Sequence, residues 1–200
     1  MIALDAMGGD QAPGVVIEGA ARALREQPDL RFLLCGDRER LEPLLERQPA
    51  LKAVSEIVHA PVAIADDAKP SLAVRQGRES SMRRAIDAVK EGRAVAAVSA
   101  GNTGALMAIS KLVLRTLPGI DRPAIATLIP TRRQPLVMLD LGANVDCSAE
   151  HLFQFALMGQ VYARAVLGVA RPSVALLNVG TEEIKGDNVV KQAATLIRDS

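Results

Sequence analysis

Five segments rich in glycine and small polar residues lie between apolar runs and helical patterns, and these are where the sequence can do chemistry. The clearest is residues 99–105, Ser-Ala-Gly-Asn-Thr-Gly-Ala. Its glycines permit a tight turn, and a helix that begins near Thr103 offers unpaired N–H groups at the positive end of its dipole. The segment therefore predicts an anion site suited to phosphate. A strand-to-helix turn that needs glycine only for its geometry explains the same residues.

The other four segments add carboxylates and amides, and they are residues 5–10, 66–70, 140–146 and 178–186. In open α/β sheets, ligands bind beyond the carboxyl ends of the strands, so such segments can contribute to one site. The strand-end carboxylates can orient a nucleophile or hold a divalent metal, and helix caps and Asx turns explain them as well. These carboxylates are Asp5, Asp10, Asp140 and Asp146.

Basic residues near these segments can supply positive charge to a phosphate. Arginine can hold two oxygens at once, and Arg75 is the strongest candidate because it follows residues 66–70 on a turn of helix. Solvated surface is the alternative for each of them, since most charged side chains are exposed. The candidates are Lys69, Arg75, Arg78, Arg122 and Lys185.

Several catalytic motifs are missing from the sequence. GxxxxGK[ST] and GxGxxG do not occur, which opposes a nucleotide triphosphatase and the usual dinucleotide site, and there is no GxSxG elbow. Cys147 and His151 share a helix face if the helix begins by Cys147, which would allow a thiol–imidazole pair. A surface histidine in the first turn explains His151 equally. His59 ends an apolar run, which is typical of a structural histidine.

Apolar runs alternate with helical patterns, which predicts a layered α/β domain with a parallel or mixed sheet. Helix 149–167 is apolar over most of its circumference, so it is expected to be central or covered by a partner subunit. The predicted helices are residues 13–25, 80–91, 103–116, 149–167 and 188–198. The predicted strands are residues 2–4, 31–35, 54–59, 94–99, 124–129, 136–141 and 173–179.

Composition excludes several classes of protein. The 200 residues carry 24 Lys and Arg against 23 Asp and Glu, and 49% are hydrophobic, which excludes a disordered chain. Balanced charge and very few aromatic side chains oppose nucleic acid binding. Two cysteines, expected to be small buried hydrophobes, indicate a reducing cytoplasm. The longest uncharged stretch, residues 94–110, is too short for a membrane span, and no secretory signal begins the sequence.

Seven segments, in this order, resemble the bacterial phosphate acyltransferases of fatty acid and phospholipid synthesis, the PlsX-type enzymes. The resemblance runs from the first residues to the last, and the combination is far more specific than any one segment. The segments are residues 5–10, 69–71 with Arg75, 81–82, 99–107, 122–124, 140–146, and 176–183 with 185–186.

The resemblance implies transfer of a long-chain acyl group from acyl carrier protein to inorganic phosphate, giving acyl phosphate. It also implies a three-layer αβα fold similar to the isocitrate and isopropylmalate dehydrogenases and to phosphotransacetylases. Family members act as homodimers in the cytoplasm close to the membrane, and their product passes to a membrane glycerol-3-phosphate acyltransferase. For this reaction we expect no cofactor and no bound metal.

Site residues follow from the resemblance together with the glycine segments. We hypothesise that residues 101–104 and Arg75 cradle phosphate, that three asparagines polarise the reacting groups, and that Lys185 lies where the substrate enters. The residues expected in catalysis are Asn102, Asn144, Asp146, Asn178 and Lys185. The residues expected to bind phosphate or substrate are Asp5, Gly8, Gly9, Asp10, Lys69, Arg75, Ser81, Ser99, Gly101, Thr103 and Gly104.

Chains of the PlsX type continue well beyond 200 residues, so we expect residues 1–200 to be a single α/β domain and the N-terminal part of a longer chain. Two other functions fit parts of the pattern. A metal-dependent hydrolase or dehydrogenase of related fold would use the strand-end aspartates as ligands. A non-catalytic module would bind a ligand or partner through the glycine segments and helix 149–167.

Overall fold

The computed structural model describes residues 1–180, 182 and 185–200, and the chain divides into two compact units, Met1–Arg115 and Thr116–Ser200. Each unit is described by itself. That residues 1–200 form a single domain stays a prediction.

Unit 1 is built on a parallel sheet of four strands. They are β1 (Ile2–Asp5), β2 (Phe32–Gly36), β3 (Ser55–His59) and β4 (Ala96–Val98), in the order β3-β2-β1-β4. The prediction of a parallel sheet from short apolar runs is confirmed. β2 and, up to its last residue Asp5, β1 are continuously apolar because they lie in the centre of the sheet and are covered on both faces.

Helices cover both faces of this sheet, which gives unit 1 three layers. Leu4, Phe32 and Leu34 pack against helices α1 (Gly14–Glu26), α2 (Arg38–Glu46) and α3 (Pro49–Lys52). Ala3 and Leu33 point to the opposite face, where they pack against helix α5 (Ser81–Lys90). Side chains alternate between the faces of a strand, so adjacent residues of β1 and β2 supply two separate cores.

Two further helices complete unit 1. They are α4 (Pro70–Gln76), which continues into a 3-10 turn at Gly77–Glu79, and α6 (Thr103–Leu114). A third cluster of buried residues joins them to α5, with Ala73 from α4, Met82 and Ile86 from α5, and Ala105 and Ile109 from α6. This cluster supports the segment that leads from β4 into α6.

Unit 2 has a small antiparallel ribbon and two long helices. Strands β5 (Thr127–Ile129) and β6 (Leu136–Met138) pair with Ile129 opposite Leu136. Helices α7 (Ala149–Leu167) and α8 (Asn188–Arg198) pack against each other and have the bounds predicted for them. α7 begins at a Ser148 cap and ends at Gly168, which has a left-handed φ of 66°.

The predicted strand at residues 173–179 is wrong. This segment is irregular, and no strand in the described part of the chain pairs with it. Leu177 and Val179 are 82% and 86% exposed, so the apolar run buries little of its surface within unit 2. An apolar run becomes a strand only where a partner completes its hydrogen bonds.

No helix formed by the described residues is long and apolar enough to cross a membrane.

Candidate functional site

The segments after β1 and β4 meet because these strands are parallel neighbours with Leu4 opposite Val98. Ser99 Oγ donates a hydrogen bond of 2.7 Å to Asp5 Oδ2 and accepts one of 3.1 Å from the backbone N–H of Gly101. Asp5 is only 2% exposed, and its Oδ1 is buried without a hydrogen-bond partner among the described residues. The strand-end carboxylate therefore fixes Ser99 and, through it, the turn at Gly101.

Two glycines let the segments approach closely. A Cβ atom on Gly8 would lie 2.5 Å from Asp5 Oδ2 and 3.0 Å from the backbone nitrogen of Gly101. A Cβ atom on Gly101 would lie 3.3 Å from Gly8 Cα and 3.2 Å from Met82 Cε. A side chain on Gly8 would clash with Asp5, and one on Gly101 would require Met82 or Gly8 to shift. Gly9 adopts a φ of 97° beside the carbonyl of Ala100.

Asn102 joins a third segment to this pair. Its Oδ1 accepts a hydrogen bond of 2.8 Å from the N–H of Ala105 and so caps α6. Its Nδ2 donates to the carbonyl of Asp66 at 2.7 Å, to that of Ala68 at 3.0 Å and to that of Ala65 at 3.4 Å. The amide expected to polarise substrate is thus bound to residues 65–68, and a direct role for it stays a prediction.

The start of α6 has the free donors that an anion requires. The backbone N–H groups of Asn102, Thr103 and Gly104 have no acceptor in the described part of the chain, while that of Ala105 is taken by the Asn102 cap. Thr103 is exposed and Gly104 is partly exposed. Three consecutive donors at a helix N-terminus can hold phosphate oxygens without a dedicated charged pocket.

Lys69 and Asp10 lie on the segments that border this helix start. A Cβ atom on Gly104 would lie 2.8 Å from Cγ of Pro70, the residue that follows the exposed Lys69. Asp10 ends the segment after β1. Hydrogen bonding to the Asp10 side chain, then desolvation and the negative charges of Asp10 and Asp67, raise the pKa of Asp66. The loop at residues 65–69 therefore borders the segment after β1 and is bound to the start of α6.

Two predicted binding residues, Ser81 and Arg75, make no hydrogen bond to the described residues of this helix start. Ser81 begins α5 and is 1% exposed, with its N–H donated to the carbonyl of Val62. Arg75 lies in the last turn of α4 and lines a groove with Arg78, Arg84 and Leu112. No hydrogen bond or ion pair joins Arg75 to the described residues of the glycine segments, so its contact with phosphate stays a prediction.

In unit 2, Asp140 and Asn144 hold the segment after β6. Asp140 Oδ1 accepts from the N–H of Ile125 at 2.7 Å, and Oδ2 accepts from the N–H of Asn144 at 2.7 Å. Asn144 Nδ2 donates to the carbonyl of Pro123 at 3.0 Å and to Asp140 Oδ2 at 3.2 Å. The Asp146 carbonyl accepts from Arg122 Nη1 at 3.1 Å, and Asp146 is exposed.

The segment at residues 178–186 is described only in part. Asn178 Oδ1 accepts from the N–H of Val179 at 2.9 Å, and its Nδ2 donates to the carbonyl of Lys185 at 3.3 Å. Thr181, Glu183 and Ile184, which belong to the predicted motif, lie outside the described residues. Roles for Asn178 and Lys185 stay predictions.

The thiol–imidazole pair considered for Cys147 and His151 is wrong. α7 begins at Ala149, and His151 Nδ1 accepts the N–H of its cap residue Ser148 at 3.1 Å. Cys147 Sγ donates instead to the carbonyl of Asn144 at 3.8 Å. His59 also has a structural contact, because its Nδ1 accepts from the N–H of Arg38 at 3.3 Å. Among the described residues, no cluster of three or more histidine, cysteine, aspartate or glutamate side chains is arranged to hold a metal ion.

Sequence reasoning missed the connection between Asn102 and residues 65–68 and the groove around Arg75. An asparagine directly before a helix does indicate a cap, so one of the four Asn102 hydrogen bonds had a local signal. The sequence signal for the groove was weaker. It consists of Arg75 and Arg78, which are three residues apart, and the adjacent pair Arg83 and Arg84.

A parallel α/β sheet with a donor-rich helix start beyond its carboxyl edge defines a class of proteins that bind anionic ligands at that edge. All 200 residues match the family described as fatty acid synthesis protein, and the chain belongs to this family. The predicted resemblance to bacterial phosphate acyltransferases is confirmed.

Individual relatives carry the name phosphate acyltransferase. The Rhodospirillum centenum protein is 60% identical over 199 residues, covering 100% of this chain and 56% of that relative. The Paramagnetospirillum magneticum protein is 56% identical over 199 residues, covering 100% of this chain and 57% of the relative. The Bradyrhizobium diazoefficiens protein is 57% identical over 198 residues, covering 98% and 56%. The chain therefore spans little more than half the length of these relatives, none of which supports the hydrolase, dehydrogenase or binding-module alternatives.

Proposed function

We propose that the complete protein transfers a long-chain acyl group from acyl carrier protein to inorganic phosphate and releases acyl phosphate for phospholipid synthesis. The observation that carries this proposal is the identity of 60% over 199 residues with a protein named phosphate acyltransferase. The free N–H groups at the start of α6 support it, because they suit the phosphate that such an enzyme must bind.

The reaction needs positioning more than activation. A phosphate oxygen is already anionic at neutral pH and attacks the thioester carbonyl carbon, so that a C–O bond forms. The C–S bond then breaks, and the carrier leaves as a thiolate that takes up a proton. The enzyme has to hold the two reactants together and stabilise the negative charge that develops on the carbonyl oxygen.

The free donors at the start of α6 support phosphate binding by the N–H groups of Thr103 and Gly104. The ammonium group of Lys69, the residue before Pro70, is the proposed cation. Asp5 and Ser99 are positioning residues that fix the turn at Gly101. For unit 2 we keep Asn144, Asp146, Asn178 and Lys185 as proposed substrate contacts, together with Asp10 and Arg75 in unit 1.

The remaining family properties are proposals for the complete protein. They comprise an overall fold similar to the isocitrate and isopropylmalate dehydrogenases, a homodimer, a cytoplasmic location at the inner face of the membrane, and delivery of acyl phosphate to a membrane glycerol-3-phosphate acyltransferase. The layered sheet of unit 1 supports the first of these.

Trapping of acyl phosphate with hydroxylamine tests the proposal. The full-length protein, acyl carrier protein thioester and phosphate should give acyl hydroxamate, and replacing phosphate with sulfate should abolish it. Lys69→Met should raise the phosphate KM about tenfold or more, as expected for one lost charge-assisted hydrogen bond. The matched control Lys90→Met changes an exposed lysine in the last turn of α5 and should leave this KM unchanged. Absence of phosphate-dependent hydroxamate from the full-length protein would overturn the proposal.

A further inference from the structure

An open groove of about 720 Å³ lies on the outer side of α4, α5 and α6, and its lining is dominated by arginine. Glu79 is the one carboxylate among the lining residues that the structure describes, and Leu112, which is 54% exposed, supplies apolar surface. The arginines are Arg75, Arg78, Arg83 and Arg84.

The positive charge of this groove is poorly compensated. Arg83 Nε pairs with Asp87 Oδ1 at 2.9 Å. Arg75, Arg78 and Arg84 are exposed and form no ion pair with any described residue. The whole sequence has a net charge of only +1, so this surface concentrates positive charge that the rest of the sequence balances. A concentrated patch raises the encounter rate with a partner of opposite charge.

The form of the groove favours a protein partner over a small anion. The three unpaired arginines are exposed and come from α4, the 3-10 turn and α5, so they are spread along a surface. Guanidinium groups pair with carboxylates in a planar, two-point geometry. Leu112 lies among them, which matches a contact with an apolar centre and a charged rim.

The groove also lies at a useful distance from the candidate phosphate site. α4 begins at Pro70, against Gly104, and ends at Arg75 in the groove. Along α6, nine residues separate Thr103 from Leu112, about 14 Å at the helical rise. An acyl group carried on a long flexible arm can therefore reach the start of α6 from a protein bound at the groove.

We propose that the groove formed by Arg75, Arg78, Arg84 and Leu112 docks an acidic carrier protein through its carboxylates, so that the arm bearing the acyl thioester extends along α4 and α6 to the phosphate site. This inference rests on the proposed function, since it names the surface that receives the acyl donor.

Charge reversal away from the phosphate site tests the inference. Two acyl donors are compared on the full-length protein: the acyl carrier protein thioester, and the same acyl group on pantetheine alone. Arg78→Glu with Arg84→Glu should lower the ratio of kcat/KM for the first donor to that for the second about tenfold or more. Rising salt should lower kcat/KM of the wild type for the acyl carrier protein thioester until it approaches that of the variant, because salt screens exposed charges. The neutral variant Arg78→Gln with Arg84→Gln should show a smaller shift in the same direction. The matched control Arg25→Glu with Arg47→Glu reverses two exposed arginines on α1 and after α2 and should not change the ratio of the two donors.

An unchanged ratio of the two donors would overturn the inference, whether both activities are kept or both fall equally. If the ratio is unchanged and the variant loses binding to phosphatidylglycerol vesicles, the groove is a membrane surface. Failure of the proposed function is distinct, because the wild type would then make no acyl phosphate from either donor. In that case, titration of fluorescent carrier protein into wild type and variant decides whether the groove docks it.

Discussion

The side chain of Asn102 connects parts of unit 1 that are distant in the sequence. It caps α6 with one atom and binds three carbonyls of residues 65–68 with the other. The same contacts tie residues 65–68, which lead into Lys69 and α4, to the start of α6. We therefore propose Asn102 as a positioning residue of the candidate phosphate site.

Asn102→Asp separates the two contacts. An aspartate keeps the acceptor that caps α6, but it turns a second oxygen towards three carbonyls, so we expect the free energy of unfolding to fall by about 1–3 kcal/mol. The phosphate KM should rise while kcat changes less, because the residue acts through its neighbours. Urea unfolding and phosphate kinetics measure the two effects. Asp37→Asn, an exchange in the opposite direction at the cap of α2, should cost little, and an equal loss there would contradict the assignment.

Asp10 and Asp66 form an acidic pair whose effect depends on pH. The hydrogen bond to Asp10 and the nearby negative charges raise the pKa of Asp66. The folded protein thus holds this proton more tightly than the unfolded chain, so the pair contributes stability below the ordinary carboxyl pKa and loses it as pH rises through the raised pKa.

Asp66→Asn supplies a hydrogen-bond donor at every pH and removes one charge. We expect the variant to have a higher Tm than the wild type at pH 8 and a similar Tm at pH 4, as measured by thermal unfolding in the two buffers. The control Asp29→Asn changes an exposed aspartate away from the pair and should show no such difference between the buffers. If the Tm difference between Asp66→Asn and the wild type is the same at both pH values, the interaction between Asp10 and Asp66 does not contribute pH-dependent stability.

At the scale of elements, helix α5 supports the turn after β4. Met82 is 1% exposed, belongs to the cluster of α4, α5 and α6, and its Cε lies 3.2 Å from where a Cβ of Gly101 would be. The position of residues 99–105, the candidate anion-binding segment, thus depends on packing against Met82 as well as on the hydrogen bonds of Ser99 and Asn102.

Met82→Ala tests this support. The truncation leaves a cavity under Gly101 and should lower the free energy of unfolding by about 2–5 kcal/mol. The phosphate KM should increase as well, because the turn loses its contact. Met82→Leu conserves volume and should cost less than about 1.5 kcal/mol. If Met82→Ala lowers stability without changing the phosphate KM, the contact with Gly101 serves the core alone.

Helices whose bounds are marked by adjacent cap residues could be predicted from the sequence. Elements whose formation depends on contacts with other parts of the fold could not. The bounds of α7 and α8 follow from the caps Ser148 and Asp187, which need only adjacent residues. α2 was not predicted because it is strongly polar and contains Pro43, and its formation relies on burial of Leu41 and Leu45 against the sheet. The apolar run at residues 173–179 had the composition of a strand but no strand to pair with among the described residues.

The candidate site divides in the same way. The glycines of residues 99–105 predicted a tight turn ahead of a helix, and α6 does begin at Thr103. The close approach of Gly8 and Gly101 is a finding of the structure that the sequence did not indicate. The bond between Asn102 and Asp66 joins residues 36 apart and depends on how α4 and α6 pack, which no local pattern encodes. Arg75 was expected beside phosphate because its distance along the chain from residue 70 is short, yet a helix of seven residues carries it to the far end of α4.

At the scale of the whole molecule, a net charge of +1 conceals an uneven distribution. Balanced charge was one of two reasons, with the scarcity of aromatic side chains, for predicting that the chain does not bind nucleic acid. Folding brings Arg75, Arg78 and Arg84 to one groove, where none of the three forms an ion pair with a described residue. The average charge of a sequence therefore excludes less than it suggests, because a balanced chain can still present a strongly basic surface.

The two thiols lie in different units and in different surroundings. Cys35 is completely buried in β2, and burial raises its pKa to about 12. Cys147 is only partly buried, and slight burial followed by the charge of Asp140 raises its pKa as well.

Because thiol-reactive dyes need access and a thiolate, we expect a maleimide to modify Cys147 in the folded protein while Cys35 reacts only after unfolding. Peptide mass mapping of protein labelled with and without urea measures the maleimide modification of each cysteine. Modification of Cys35 in the folded protein would contradict this expectation. Cys147 Sγ donates to the carbonyl of Asn144, so a fluorophore attached to this thiol would report on the segment after β6 in unit 2.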